Sequence, residues 1–148
     1  MQRGVRLGID VGKVRVGVAK CDPDGILATP MVTLARDNTE ETDLPTDISK
    51  ISALVAEHEA VEVVLGLPVN LSGLEGPAAI HVRAYADKLA KVIAPVPVVM
   101  SDERMSTVAA TRRLSDRGVK GRRQRAVVDQ AAAVEILQSW LDSQRRRR

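Results

Sequence analysis

The run Val61–Leu67, which is apolar at nearly every position, restricts the fold of this chain more than any other feature. A strand without a polar face has to be covered on both sides, as parallel strands are in sheets flanked by helices. Aliphatic residues carry nearly all of the apolar content, since the chain has no Phe, one Trp and one Tyr. Its 148 residues suffice for one domain with a single core. The sequence therefore predicts one layered α/β domain.

The other local patterns predict the order of the strands and helices. Three short strands separated by turn residues come first, and helices then alternate with strands. The predicted strands are Val5–Val11, Val14–Lys20, Ala28–Leu34, Val61–Leu67 and Val96–Met100. The predicted helices are Ile48–Glu59, Pro77–Val92, Ser106–Gly118 and Ala126–Ser143.

This order of elements predicts a mixed five-stranded sheet. The first three strands form an antiparallel meander, two parallel strands follow, and helices cover both faces. Right-handed crossovers place the first strand in the middle of the sheet, next to the fourth. We expect a single domain over residues 1–143 and a disordered basic tail over residues 144–148.

Other features exclude several classes of protein. The sequence has no apolar stretch of membrane-spanning length and no signal-peptide pattern. The single cysteine, Cys21, excludes an internal disulfide framework. We expect a cytoplasmic protein that does not bind membranes and that exists as a monomer or a homodimer.

Three acidic residues occupy positions where acids are rare. Asp10 lies in the middle of the first predicted strand, Glu103 follows the last predicted strand, and Asp129 falls on the apolar side of the final helix. An uncompensated buried carboxylate is costly, so such a group normally contacts a metal, a cation or several hydrogen-bond donors. We interpret the three acids as one site. For Asp129 alone, the alternative is an ordinary acid that complements the helix dipole in the first turn.

The chemistry of this site follows from its ligands. Asp10 would lie on the central strand, and Glu103 would emerge at the carboxyl end of the last strand, where open α/β sheets bind their ligands. Carboxylate oxygens suit Mg²⁺ or Mn²⁺. No arrangement of His, Cys or Ser resembles a nucleophilic triad. The predicted reaction is therefore attack of metal-activated water on a phosphodiester, with two ions roughly 4 Å apart.

The distribution of charge predicts a polyanionic partner. The net charge is +3, and basic residues cluster between Glu103 and Asp129. The cluster consists of Arg112, Arg113, Arg117, Lys120, Arg122, Arg123 and Arg125. We predict that it binds nucleic-acid phosphates, through Arg122 and Arg123 in particular, whereas the alternative is a solvated helix face. Because aromatic residues are scarce, contacts to the backbone and shape of the nucleic acid should dominate.

Four short motifs occur in a specific order and spacing. They are Gly8-Ile9-Asp10-Val11-Gly12, then Val64-Leu65-Gly66-Leu67-Pro68 followed by Asn70 and Gly73, then Asp102-Glu103-Arg104-Met105-Ser106-Thr107, and finally Val128-Asp129-Gln130-Ala131-Ala132-Ala133. Together they resemble the YqgF/RuvX family of bacterial RNase H-like nucleases, over nearly the whole chain. The terminal arginines lie outside the shared pattern.

The resemblance implies an RNase H-like fold and a catalytic set of Asp10, Glu103 and Asp129 with a divalent metal. It also implies a role in maturing the 5′ end of the 16S rRNA precursor or in resolving Holliday junctions. We favour rRNA processing, because a junction resolvase needs paired active sites and the sequence shows no clear dimerisation surface. Such a role adds ribosomal particles to the expected partners.

Three further residues are candidates for substrate contacts. Lys13 follows Asp10 in a turn and Asn70 lies in the loop after the fourth strand, although a solvated lysine and a turn-forming asparagine are the alternatives. Arg104 contacts either the scissile phosphate or Asp102. Because adjacent strand residues point to opposite faces, we choose Glu103 over Asp102 as the metal ligand.

Two rival functions come from other classes. One is a phosphotransferase of the actin-like type, since an Asp-x-Gly strand before a hairpin also cradles nucleotide phosphates. Those proteins close two lobes around the nucleotide, whereas 148 residues provide one. The other is a nucleic-acid-binding module whose acids are structural, which binding without cleavage would indicate.

Overall fold

The computed structural model describes residues 1–39, 44–105 and 122–147, without the side chains of residues 122–124. The strands are β1 (Arg6–Val11), β2 (Arg15–Cys21), β3 (Ala28–Ala35), β4 (Glu62–Leu67) and β5 (Val98–Asp102). The helices are α1 (Thr46–Glu57), α2 (Pro77–Ile93) and α3 (Arg122–Arg146), and a short 3₁₀ turn at Glu103–Met105 follows β5. The helix predicted over Ser106–Gly118 lies outside the described residues.

The five strands form one mixed sheet in the order β3-β2-β1-β4-β5. β1 pairs antiparallel with β2, and β2 pairs antiparallel with β3. β4 pairs parallel with both β1 and β5. The predicted meander, the two parallel strands and the central position of the first strand are all confirmed.

Each face of the sheet carries its own apolar core. On one face, Leu7 and Ile9 of β1 pack in a cluster with residues of α1 and α2. On the other face, Ala19 and Val64 pack against Ile136 and Leu137 of α3. Because side chains alternate along a strand, β1 turns Asp10 toward the same face as α3.

Most predicted boundaries differ from the structure by one or two residues, and those of α3 by three or four. β5 begins at Val98 rather than Val96, because the Val96 backbone N–H donates to the Ile93 carbonyl and closes a turn after α2. α3 begins at Arg122 and continues through Arg146, so residues 144–146 are helical instead of forming a disordered tail. Arg145 anchors this last turn, since its Nη1 lies 2.7 Å from the Gly25 carbonyl oxygen.

Arg6, the first residue of the central strand β1, contacts the C-terminal half of α3. The guanidinium of Arg6 is almost fully buried, and its Nε donates to Glu62 at 2.8 Å. The same guanidinium lies 5.6 Å from the centre of the Trp140 ring on α3, within the range of a cation–π contact. No described helix has the length and apolarity needed to cross a membrane.

A buried polar network fastens the turn after β1. Asp47, at the start of α1, is 1% exposed and accepts a hydrogen bond from the Tyr85 hydroxyl at 2.7 Å. Its Oδ2 also lies 3.4 Å from Nε of Arg36, a side chain that is 9% exposed. Arg36 in turn donates to the Gly12 carbonyl at 2.8 Å. Burial and the hydrogen bond to Asp47 raise the pKa of Tyr85, which stays a donor in this network.

Candidate active site

Asp10 lies at the centre of the sheet between two glycines. It is 5% exposed, and it pairs in register with Gly17 on β2. On its other side β1 runs parallel to β4, and Ile9 pairs with Leu65. The residue of β4 beside Asp10 is therefore Gly66, which follows Leu65. Glycines at both neighbouring positions leave space on the face toward which Asp10 points.

The space above Gly17 is filled by the backbone of α3. A Cβ atom at Gly17 would lie 2.1 Å from the Asp129 carbonyl oxygen, so no larger residue fits without displacing the helix. The Thr33 hydroxyl of β3 donates to the Ala126 carbonyl at 2.7 Å and accepts from Gln130 Nε2 at 3.1 Å. These contacts dock the first turns of α3 beside the strand that carries Asp10.

The space above Gly66 is shared by the side chain of Ile136, whose Cδ1 would lie 2.5 Å from a Cβ at Gly66, and the carboxyl group of Glu103. Oε1 of Glu103 lies 3.0 Å from the same Cβ position. Glu103 is 7% exposed and begins the turn that follows β5. The structure therefore brings Glu103 to the neighbouring strand position of Asp10, on the same face of the sheet.

Burial raises the pKa of Glu103 to about 7, and the negative charge of Asp102 adds to this shift. Since the folded pKa lies above the ordinary value of 4.5, the stability contributed by protonated Glu103 is present at low pH and is lost as the pH rises through about 7. Glu103→Gln, which imitates the protonated form, should therefore increase the free energy of unfolding at pH 8 by on the order of 2 kcal/mol.

This difference should shrink toward pH 5, and urea unfolding at both pH values in the presence of a chelator measures it. Glu57→Gln, at the exposed end of α1, is the matched control and should change stability little at either pH. An equal effect of Glu103→Gln at pH 5 and pH 8 would contradict the raised pKa.

The carboxylate of Asp129 has a different partner from the one expected. Nε of Arg15 lies 2.6 Å from Asp129 Oδ2, and both side chains are partly buried. No local pattern in the sequence pairs these two residues, since Arg15 lies past the turn after Asp10. Within the described ranges, no three His, Cys, Asp or Glu side chains form a group that could hold a metal ion. The structure thus brings Asp10 and Glu103 together and places the Asp129 backbone beside them, while the Asp129 carboxylate binds Arg15.

Asp102 and Arg104 form a pair next to Glu103. Arg104 donates from Nη2 to Asp102 at 2.6 Å, and its backbone N–H donates to the same carboxylate at 2.8 Å. The side-chain hydrogen bond from Arg104 lowers the pKa of Asp102. Pairing with Asp102 was one of the two predictions for Arg104, and it leaves Glu103 as the acid that faces Asp10.

Asn70 organises the loop between β4 and α2. Its Oδ1 accepts hydrogen bonds from the Ser72 backbone, the Ser72 hydroxyl and the Leu74 backbone, at 3.1, 2.7 and 2.9 Å. The side-chain oxygen of Asn70 therefore stabilises the turn, as the alternative to a substrate contact predicted. The prediction that Asn70 contacts a substrate now depends on its amide nitrogen.

The sequence profile of the RuvX family, described as "Holliday junction resolvase", matches residues 4–143 of the chain. The chain belongs to the RuvX family. Two relatives, from Rhodococcus erythropolis and Streptomyces avermitilis, both carry the name "Putative pre-16S rRNA nuclease". They are 55% and 56% identical to this chain, over 97% and 98% of its length and 81% and 90% of theirs.

A solved structure of Thermus thermophilus RuvC in complex with a Holliday junction substrate is also similar to this RuvX-family chain. The two chains superpose with a TM-score of 0.59 over 96% of each, at 16% sequence identity. This similarity confirms the predicted RNase H-like fold.

Two of the predicted substrate contacts of this RuvX-family chain involve basic residues, Lys13 in one case and Arg122 with Arg123 in the other. Lys13 is exposed in the turn after β1, and Asn38 Nδ2 lies 3.2 Å from its carbonyl oxygen. Arg122 and Arg123 begin α3, which carries Asp129, but their side chains lie outside the described part of the chain. Phosphate contacts by these three residues stay predictions.

The donor set fits a hard divalent cation. Asp10 presents carboxylate oxygens from the central strand, and Glu103 brings a carboxyl oxygen over the adjacent Gly66 from the turn after β5. Oxygen donors of this kind are those that Mg²⁺ and Mn²⁺ prefer. Asp129 would complete the set only by leaving Arg15.

Proposed function

We propose that this protein is a metal-dependent nuclease that hydrolyses phosphodiester bonds in structured nucleic acid, and that its substrate is the 5′ region of precursor 16S rRNA. The observation that carries the proposal is the pair of buried carboxyl groups on one face of the sheet of a RuvX-family chain, Asp10 on the central strand β1 and Glu103 in the turn after β5, above Gly66 of β4. The names of the relatives support the choice of RNA.

Asp10, Glu103 and Asp129 would hold Mg²⁺ or Mn²⁺, with two ions per site as in other nucleases that use carboxylates. When bound, such ions activate water and neutralise the charge that develops on the phosphate. A pKa of about 7 lets Glu103 release its proton near neutral pH, so this carboxyl group changes from a neutral to an anionic ligand under working conditions.

The basic residues have a separate task in this proposal. Lys13, Arg104, Arg122 and Arg123 would contact the substrate from three different segments of the chain, the turn after β1, the turn after β5 and the start of α3. Contacts from lysine and arginine to phosphates position a nucleic acid without reading its sequence. Recognition would therefore depend on the shape of the substrate, or on its presentation by a ribosomal particle.

The cellular context follows from the proposed substrate. We assign the protein to the cytoplasm and its activity to a single domain over residues 1–143, which includes the residues that match the family profile, 4–143. A monomer suffices for a single cut in RNA, whereas a homodimer would be needed for paired cuts in a junction.

The second candidate substrate is a four-way DNA junction. The description of the family names Holliday junction resolution, which favours this alternative specifically. The two substrates differ in the cuts they predict, because a resolvase makes paired, symmetric cuts and an RNA-processing nuclease does not.

An assay of both substrates side by side tests the proposal. An end-labelled fragment of precursor 16S rRNA and a labelled four-way DNA junction are incubated with the protein in Mg²⁺, in Mn²⁺ or in chelator. We expect cuts near the mature 5′ end of the RNA that require the metal. Paired symmetric cuts in the junction alone would move the assignment to a resolvase. Binding of both substrates without cleavage of either would contradict nuclease activity and favour a non-catalytic binding module.

A further inference from the structure

Two leucines project from the loop between β4 and α2. Leu71 is 95% exposed and Leu74 is 67% exposed, and we call this pair the leucine tip. A single exposed leucine on a protein surface is ordinary. Two in one five-residue turn, next to a candidate active site, indicate a contact with a partner.

The loop that carries the leucine tip is held in a defined shape. The Asn70 backbone N–H donates to the Leu74 carbonyl at 3.1 Å, and the Gly73 N–H donates to the Asn70 carbonyl at 2.9 Å. Gly73 has a φ of +86°, a conformation that favours glycine. Together with the hydrogen bonds to Asn70 Oδ1, these features fix the position of both leucines relative to β4.

Arg104 ties the leucine tip to the site. Its Nη1 lies 3.5 Å from the Leu71 carbonyl oxygen and 3.2 Å from the position of a Cβ at Gly73. The same guanidinium binds Asp102, the residue before Glu103. In addition, Leu67, three residues before Asn70, pairs in register with Asp102. One set of contacts therefore joins the leucine tip to Asp102 and Arg104, the residues on either side of Glu103.

We propose that Leu71 and Leu74 pack against nucleobases of the substrate beside the scissile phosphate and unstack them; this inference rests on the proposed nuclease function. A nucleic acid presents apolar surface mainly on the faces of its bases, and leucine is among the side chains that proteins insert between base steps. Neither aromatic residue can replace the tip, since Tyr85 is buried and Trp140 packs against Arg6 at the opposite end of β1.

Fluorescence of 2-aminopurine, a base analogue whose emission rises on unstacking, tests this contact. The full chain carrying Asp10→Asn is mixed with the precursor rRNA fragment and with the four-way DNA junction, each labelled at successive positions. We expect increased emission at positions that flank the cleavage site mapped with the wild-type protein. Adding Leu71→Ser should abolish the increase and weaken binding about ten-fold, as loss of a buried leucine contact predicts.

Leu27→Ser is the matched control. Leu27 is 60% exposed in the turn between β2 and β3, at the opposite end of the sheet from the site, so its replacement should leave emission and affinity unchanged. Circular dichroism of both variants checks that Leu71→Ser has not altered the fold.

The outcomes separate this inference from the proposed function. If the wild-type protein cleaves its substrate but Leu71→Ser keeps both the emission change and the affinity, the leucine tip does not contact bases and only this inference is overturned. If Leu71→Ser keeps both signals but no longer binds ribosomal precursor particles, the tip contacts a protein, and the inference is again overturned. If the wild-type protein neither binds nor cleaves either nucleic acid, the proposed function and this inference fail together.

Discussion

Asp10→Asn is expected to lower the rate of phosphodiester cleavage by at least about a thousand-fold, since the loss of one charged ligand removes several kcal/mol of transition-state stabilisation. Asparagine keeps the shape of the side chain and removes its charge. The protein should remain folded, because Asp10 is buried beside Glu103 and loss of one of two neighbouring negative charges relieves repulsion. Single-turnover cleavage of the precursor rRNA fragment measures the rate, and thermal unfolding in chelator measures stability.

Asp24→Asn is the control for this variant. Asp24 lies in the turn between β2 and β3, at the end of the sheet opposite Asp10, and pairs with Arg3 on the surface at 3.0 Å. Its replacement removes the same charge without approaching the site, so cleavage should be unchanged. Full metal-dependent cleavage by Asp10→Asn would show that the metal site lies elsewhere.

Asp47→Ala is expected to reduce the free energy of unfolding by about 3–5 kcal/mol, the range observed when one partner of a buried ion pair is removed. The variant leaves the Arg36 guanidinium buried without its carboxylate and the Tyr85 hydroxyl without its acceptor. Urea unfolding at neutral pH measures the change. For comparison, Glu75→Ala removes an exposed partner of Arg83 and should cost less than about 1 kcal/mol.

A double variant shows whether the uncompensated charge is the cause. Replacing Arg36 with Met and Asp47 with Leu removes both charges, and such apolar replacements of buried pairs are often neutral. The double variant should therefore recover much of the stability that Asp47→Ala loses. It should still impair cleavage, because Arg36 no longer donates to the Gly12 carbonyl in the turn after Asp10. Equal losses of stability in Asp47→Ala and Glu75→Ala would contradict a buried network.

Most of the fold can be predicted from the sequence, because the strand segments are apolar and the segments that separate them are polar or rich in turn-forming residues. The apolar run Val61–Leu67 identifies a strand covered on both faces, and the handedness of crossovers then fixes its place beside β1. The ends of α3 are less predictable from the sequence. Its first and last turns consist mostly of polar residues and arginines such as Arg122 and Arg145, which favour a helix but show no apolar periodicity that would mark its bounds.

The candidate site could be predicted only in part. Asp10 and Glu103 stand out because acids are rare at buried positions, and their burial in the structure agrees with that reasoning. The contact between Arg15 and Asp129 depends on how closely α3 approaches β2, a distance that no local pattern encodes. Asp47 was missed because an acid in the first turn of a helix is ordinary, and nothing in the sequence marks it as buried.

Trp140 makes the docking of α3 directly observable. It is the chain's single tryptophan, it lies on the helix that carries Asp129, and its ring packs near the Arg6 guanidinium of the central strand. The intrinsic fluorescence of the protein is thus an optical signal from one helix, available without any label. An ion or a nucleic acid that displaces α3 as a unit would change this emission, whereas an event confined to the leucine tip would leave it constant.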